Sequence, residues 1–389
     1  MPLMTNHLRQ CAWLHVQFVR VVVCLSVALL TFDAQAKEFH VEGSDLLIGV
    51  GADAIAKSGA VTAGINSISS VYWNPAGLAE LENHSVSLST QINAKILPIN
   101  FASIAFTNDW LDAWGLKSAI ALSWIPRLHV KSSGAYSGED IESIFLRFTL
   151  PSLPDTFSGD IESKTKDTRL TFAVMPKEDA SWSLGLSVSK VDCVTFFCGV
   201  TAHEPDQYII SSTKATAYAF GIGAKYFASE SSTYAFNLKD MDTTLDVDIK
   251  TEYQDGTVKH YEFNTAFPKD FTIGGLWMYQ PNVALSLDYQ TLFGHYGIYK
   301  MDFRILRAGL EYTKQSFAYR FGLAAPLKIE ADKVSDYSEK LPFPIAPSVG
   351  VGWKDGDITI DAALYVQLVM SAQREKILPG LDISISSQF

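Results

Sequence analysis

Charged residues are scarce in this chain: 19% of its 389 residues are Asp, Glu, Lys or Arg. Cysteine is scarcer still, with four in all. No apolar run is long enough to cross a bilayer as a helix, which takes about 20 residues. The run Val21 to Phe32 has 12, and no later stretch approaches it. These absences exclude a helical membrane protein. A membrane-spanning reading therefore requires a closed β-barrel, whose backbone groups are all paired between strands. Sites for chemistry are also missing. There is no Gly-rich phosphate loop and no zinc-ligand spacing. His84 and Ser85 are neighbours, so a strand sends their side chains to opposite faces, and His40, His129, His203, His260 and His295 fall in or beside predicted loops or in the first segment of the chain. A Ser–His hydrolase needs such a pair with an orienting third group. We expect no enzyme, no metal and no cofactor.

The chain is 48% hydrophobic, with a slightly positive mean hydropathy of +0.10. The start reads as a secretory signal: Arg9 and Arg20, the apolar run, then small residues at Ala34-Gln35-Ala36. Cleavage there leaves Lys37 to Phe389 and removes Arg9, Arg20 and Asp33. From 31 basic and 42 acidic residues, 29 and 41 remain, a net charge of −12. Such a chain has no general attraction to nucleic acid. Cys193 and Cys198 survive cleavage, and their spacing in an exported chain predicts a small disulfide loop. A metal site would need two further soft ligands, and only His203 is near.

Residues 37–83 lack sustained alternation and carry small-residue runs such as Gly49-Val50-Gly51-Ala52. They end in Asn74-Pro75-Ala76-Gly77. Proline pushes Asn74 toward an extended backbone, and the Asn side chain can bond nearby backbone groups. Ala76 and Gly77 allow another backbone to come close.

From His84 onward the period is two. Trp182, Leu184, Leu186 and Val188 oppose Ser183, Gly185, Ser187 and Ser189. Phe317, Tyr319, Phe321 and Leu323 oppose Ala318, Arg320, Gly322 and Ala324. Aromatics recur at strand ends, as an interfacial girdle requires. The other face carries Gly, Ala, Ser and scattered charges. This predicts an all-β fold: a transmembrane antiparallel barrel of about 14 strands over residues 84–389. The strands fall near 84–92, 98–106, 116–126, 167–175, 181–191, 213–226, 233–249, 269–279, 283–291, 303–313, 317–325, 345–354, 357–367 and 380–389. Short turns largely alternate with long connections near 127–166, 192–212, 250–268 and 326–344. In outer-membrane barrels the short turns are periplasmic, so both termini are expected there.

A signal peptide (1–36), a small-residue segment ending in Asn74-Pro75-Ala76-Gly77-Leu78, and about 14 strands resemble the FadL/TodX family of outer-membrane transport proteins, in a wider group with PorV-like and TraF-like barrels. The segment Phe267-Pro268-Lys269-Asp270-Phe271 is similar to one that opens a late strand in these proteins. The last strand, ending in Phe389, resembles the signal read by the barrel assembly machinery of Gram-negative bacteria, although Ser387 stands where an aromatic is usual. The resemblance implies that residues 37–83 form a hatch inside the barrel. It also implies passive uptake of hydrophobic molecules such as long-chain fatty acids, released sideways into outer-membrane lipid through a wall gap at a kinked third strand. Here that strand contains Pro126, which either kinks the wall or merely ends the strand at the outer rim. The alternative within the group is a non-transporting PorV-like scaffold or shuttle serving a secretion or surface-assembly system.

Residues 140–157 carry Ile141, Ile144, Phe145 and Phe148 at helical spacing, before Pro151 and Pro154. That apolar face is expected to line a capture groove for a fatty-acid-like ligand or to pack onto the barrel rim. Arg147 is the nearest cation in sequence. Arg169, Lys190, Lys225, Arg307 and Arg320 are read as lumenal, either meeting an anionic head group or pairing with Glu311, Asp288, Asp361 and Asp382.

Overall fold

The computed structural model describes residues 40–44, 49–92, 99–137, 156–194, 201–203, 208–241, 243–252, 255–266, 268–296, 299–333, 338–340, 345–367 and 379–389. Fourteen of its strands close a barrel: β1 Ser85–Ile92, β2 Ile99–Asn108, β3 Leu116–Ser137, β4 Thr156–Pro176, β5 Trp182–Val194, β6 Tyr208–Ser229, β7 Ser232–Met241, β8 Lys269–Gln280, β9 Val283–Tyr296, β10 Tyr299–Lys314, β11 Phe317–Lys333, β12 Ala346–Asp355, β13 Ile358–Val366 and β14 Pro379–Gln388. Each pairs antiparallel with its neighbour. The ring closes where Leu381 to Gln388 of β14 pair with Ile92 to Ser85 of β1. The ends meet at one rim, where the Phe389 amide donates to the His84 carbonyl at 3.0 Å.

The alternation in the sequence becomes an inside and an outside. Leu184, Leu186 and Val188 are exposed, while Ser183, Gly185, Ser187 and Ser189 face inward. The outer surface continues with Leu88, Leu122, Leu170, Ile273, Leu285, Leu287, Phe321, Ile360 and Ile385, all exposed. A band of this size in water would be an aggregation surface, whereas lipid accepts it. Aromatic side chains collect at the short-turn rim: Tyr226, Tyr234, Trp277, Tyr279, Phe317, Trp353 and Phe389 are exposed there. Tyr234 packs edge-on to Trp277, with ring centroids 6.1 Å apart. This is the interfacial position of amphipathic rings.

The strand number is as the sequence predicts, but several strands run further. β3 does not end at Pro126 but continues to Ser137, and β4 begins at Thr156, so much of the expected 127–166 loop is paired strand. The expected strand 233–249 stops at Met241. A separate hairpin, Thr244–Glu252 with Val258–Ala266, fills the connection to β8, and its first strand pairs with the distal half of β6. Beyond the lipid both faces of a strand are wetted, so period two is no longer required there and the sequence signal fades.

Two irregularities shape one side of the wall. The β3–β4 register shifts between Pro126 and Leu128. The β1–β2 register shifts so that Asn100 is an extra residue between Ile99 and Phe101. Proline lacks a ladder donor and is found at edges and bulges. The β2–β3 ladder stops at Ala102 opposite Trp124. Further along β3, His129 to Ser133 pair instead with a strand at the start of the described chain, His40–Ser44. That strand lies toward the long-connection end, opposite the rim that holds Phe389. Between the two ladders, residues 125–128 of β3 have no strand partner on that side among the described residues.

Candidate functional site

Residues 49–83 pack against inward-facing side chains of the strands and are mostly buried, with Asn66, Glu82 and Asn83 exposed. They form two single-turn helices, α1 Ala52–Ile55 and α2 Ser70–Trp73, and a 3₁₀ turn, Pro75–Glu80. Asn74 joins the last two. It is extended, at φ −159°, as the residue before proline should be. Its Oδ1 accepts from the Ala76 amide at 3.1 Å, and its Nδ2 donates to the Thr62 carbonyl at 2.8 Å and the Ala224 carbonyl at 3.4 Å. The turn seats against β5 and β6. A Cβ at Gly185 would run into the Pro75 backbone, and one at Gly223 into the Asn74 side chain. Gly77 packs against the Ile65 carbonyl.

Inward-facing side chains hold this segment from many strands. Ser384 Oγ of β14 accepts from the Ala52 amide at 3.2 Å, and Ser348 Oγ of β12 accepts from the Ser58 amide at 2.9 Å. Asp288 Oδ2 of β9 accepts from the Val61 and Thr62 amides at 2.9 and 2.8 Å. Asn237 of β7 donates to the Trp73 carbonyl at 2.7 Å, and Arg169 of β4 to the Val71 carbonyl at 2.9 Å. Tyr72 lies between two cations, with Lys239 Nζ 4.3 Å and Arg169 Cζ 5.9 Å from its ring centroid. Such contacts contribute most when desolvated. Spacing alone assigns no role to Tyr72 and Trp73; their signal is an aromatic pair directly before Asn-Pro.

Several inward cations are engaged in this assembly. Arg320 pairs with Glu311 and Asp361, each at 2.6 Å, and Glu311 also meets Lys57 at 3.2 Å. Lys239 pairs with Asp270 at 2.8 Å and Arg169 with Asp167 at 2.6 Å. Lys225 pairs with Glu80 and donates to the Ile65 carbonyl at 3.0 Å. Arg307 donates to Gln290 Oε1 and the Ser58 carbonyl and stands directly across the β9–β10 ladder from Asp288. Lys190 is not lumenal: it shares the outward face of Leu186 and Val188 and pairs with Asp192 at 3.1 Å.

The lumen is lopsided. On the inner faces of β2, β3 and β4 stand Phe101, Ala105, Ala119, Ala121, Ile125 and Ala173, and the segment turns Val50, Ile68, Val71, Leu78 and Leu81 toward them. This apolar seam reaches Ile125, one residue before Pro126 and at the edge of the unpaired stretch of β3. The residues proposed from sequence are thus distributed. Asn74, Pro75, Ala76 and Gly77 sit in the lumen, Pro126 marks the bulge, Cys193 is in β5 and Phe389 is on the rim. Ile141, Ile144, Phe145, Phe148 and Cys198 lie outside the described residues. Among the described residues no group of three or more His, Cys, Asp or Glu side chains is placed to hold a metal.

No protein-family model matches the sequence, and no curated protein matches it by sequence. Solved structures do match. The Ralstonia pickettii toluene transporter TbuX superposes with a TM-score of 0.58 at 14% identity, over 88% of this chain and 99% of that one. The P. putida toluene transporter TodX matches with a TM-score of 0.55 at 11% identity, over 88% and 99%. A Pseudomonas aeruginosa FadL homologue matches with a TM-score of 0.56 at 13% identity, over 90% and 99%. With its closed ring of 14 antiparallel strands, this chain has the fold of the FadL/TodX-like outer-membrane transporters.

Proposed function

We propose that this protein is an outer-membrane channel for passive uptake of a hydrophobic small molecule. Residues 37–83 serve as its hatch after a signal peptide, residues 1–36, is removed. The observation that carries this reading is the apolar seam from Leu78 and Val71 to Phe101 and Ile125, ending where the β2–β3 ladder stops. An apolar molecule gains about 25 cal/mol for each Å² it removes from water, and a wall gap at Pro126 gives it a route into lipid without crossing the wetted rim. The matched structures include toluene transporters, whose cargo is apolar. The seam is filled by side chains of the segment itself, so passage requires residues 49–83 to shift.

The 140–157 loop, through Ile141, Ile144, Phe145 and Phe148, is the proposed capture groove on the cell exterior, and Cys193 with Cys198 would staple the neighbouring connection. The short-turn rim and Phe389 would then face the periplasm. The test is binding and uptake of toluene and of a long-chain fatty acid by purified wild type and by Phe145→Asp with Phe148→Asp. The expected outcome is uptake by wild type of at least one ligand, weakened in the variant. Wild type that neither binds nor transports either ligand contradicts this function.

A further inference from the structure

A polar nest adjoins the apolar seam where β14, β1 and β2 meet. Asp382 of β14 is fully buried and faces Gln91 of β1 directly across the ladder. Its two carboxylate oxygens accept from Ser89 Oγ at 2.7 Å and Asn100 Nδ2 at 3.1 Å. Among the described residues no lysine or arginine pairs with it, unlike Asp167, Asp270 and Asp361. Gln91 is fully buried and Asn100 is 2% exposed. The Gln91 amide nitrogen is turned to the Asp382 carboxylate without regular hydrogen-bond geometry, and Gln91 Oε1 and Asn100 Oδ1 have no hydrogen-bond partner among the described residues. Leaving such groups unmet in a dry interior is costly.

The nest and the seam share a boundary. Asn100 is the extra residue of the β2 bulge, and the next residue, Phe101, belongs to the seam. Both lie past the last β2–β3 pair, Ala102 with Trp124. A molecule whose apolar body lay along Phe101 and Ile125 would thus bring one end to Asn100, Gln91 and Asp382.

We infer that this nest is a head-group site for an uncharged hydroxyl on the apolar substrate, and that the channel selects alcohols or phenols over carboxylates. The inference rests on the uptake function proposed above. A hydroxyl offers one donor and two acceptor lone pairs. It can donate to the unmet Asn100 Oδ1 or Gln91 Oε1. A carboxylate has no donor and would stand beside Asp382 with no cation to offset the repulsion. Lys57, Arg169, Lys225, Lys239 and Arg320 are engaged with carboxylates, and Arg307 with the Gln290 amide oxygen and the Ser58 carbonyl. A fatty-acid head group therefore finds no matching partner in the nest.

The test uses the purified full-length barrel with four ligands of one shape: toluene, p-cresol, 4-methylbenzylamine and p-toluate. Binding is compared in wild type and in Gln91→Met with Asn100→Leu, with toluene binding and heat-resistant gel mobility as checks on the fold. Wild type is expected to bind p-cresol and to reject p-toluate. The variant is expected to keep toluene while the p-cresol to toluene affinity ratio falls about tenfold, the effect of one to two lost hydrogen bonds. The proposal is overturned if that ratio is unchanged in the variant, if p-toluate binds as well as p-cresol, or if the amine binds tighter than p-cresol. Loss of toluene in the variant alone also overturns it, because the two side chains would then be holding the seam. Wild type that binds none of the four, toluene included, removes the uptake function itself, and this inference with it.

Discussion

Asn74 shows what a single side chain does in this lumen. The sequence predicted an extended residue before proline, with its amide bonded to nearby backbone, and both hold at φ −159° with Oδ1 capping Ala76. Its second bond, to the Thr62 carbonyl, was not legible, because nothing in the spacing of 62 and 74 announces a contact within an irregular segment. Asn74→Ala leaves the Thr62 carbonyl and the Ala76 amide without partners in a buried site, at a cost of about 2–3 kcal/mol. Limited proteolysis of the folded barrel checks this: cleavage within 49–83 should rise while the strands stay protected. Gly223 is the complementary case. The sequence showed small residues on the inward face, but not that the Asn74 side chain occupies the space a Cβ would need. Gly223→Val is expected to let the barrel form, judged by heat-resistant gel mobility, while the Asn74–Pro75 turn becomes accessible to protease. An unchanged digestion pattern would show that the turn does not depend on that gap.

At the scale of elements, the sequence located strands where lipid imposes alternation and lost them where it does not. The 14 lipid-facing spans were readable because Leu, Phe and Trp are forced to every second position there. The distal half of β3 and the start of β4 were read as loop, since Ser132, Ser133 and Gly134 show no apolar face. The Thr244–Glu252 hairpin strand was partly merged with β7, because no Gly or Pro separates Met241 from Thr244 and Leu245, Val247 and Ile249 continue the alternation. Pro126 was legible as an irregularity, but its consequence was not. A proline ends a strand or bulges it according to whether the residues beyond it find a partner, and here β3 continues for eleven residues to Ser137, paired with β4. Pro126→Val restores a ladder donor at the bulge. It is expected to slow release of an apolar substrate from proteoliposomes several-fold while leaving the thermal midpoint within a few degrees of wild type. A variant as fast as wild type would remove the bulge from the release route.

At the scale of the whole molecule, the chain builds a lipid-facing cylinder and packs residues 49–83 against inward-facing side chains of its strands, held by buried ion pairs and by carbonyl and amide contacts. Fold class and strand number came from period and composition. The lumenal network did not, because the partners of Lys239, Arg169 and Arg320 depend on which strands the closed ring brings opposite one another. The exported character of the chain has its own check. N-terminal sequencing of the protein isolated from membranes should begin at Lys37, and retention of residues 1–36 would contradict the signal peptide.

The claim at the centre is that an apolar substrate passes through this lumen when residues 49–83 shift. Ser58 and Ser348 hydroxyls lie 2.8 Å apart, one on the segment and one on β12. A Ser58→Cys, Ser348→Cys variant can therefore be locked by oxidation and released by reduction. Uptake of labelled toluene and p-cresol into proteoliposomes should be rapid in wild type and in the reduced variant, and at least tenfold slower in the oxidised variant. Equal uptake by the oxidised and reduced forms would contradict passage by movement of the segment, and no uptake by wild type would contradict a channel.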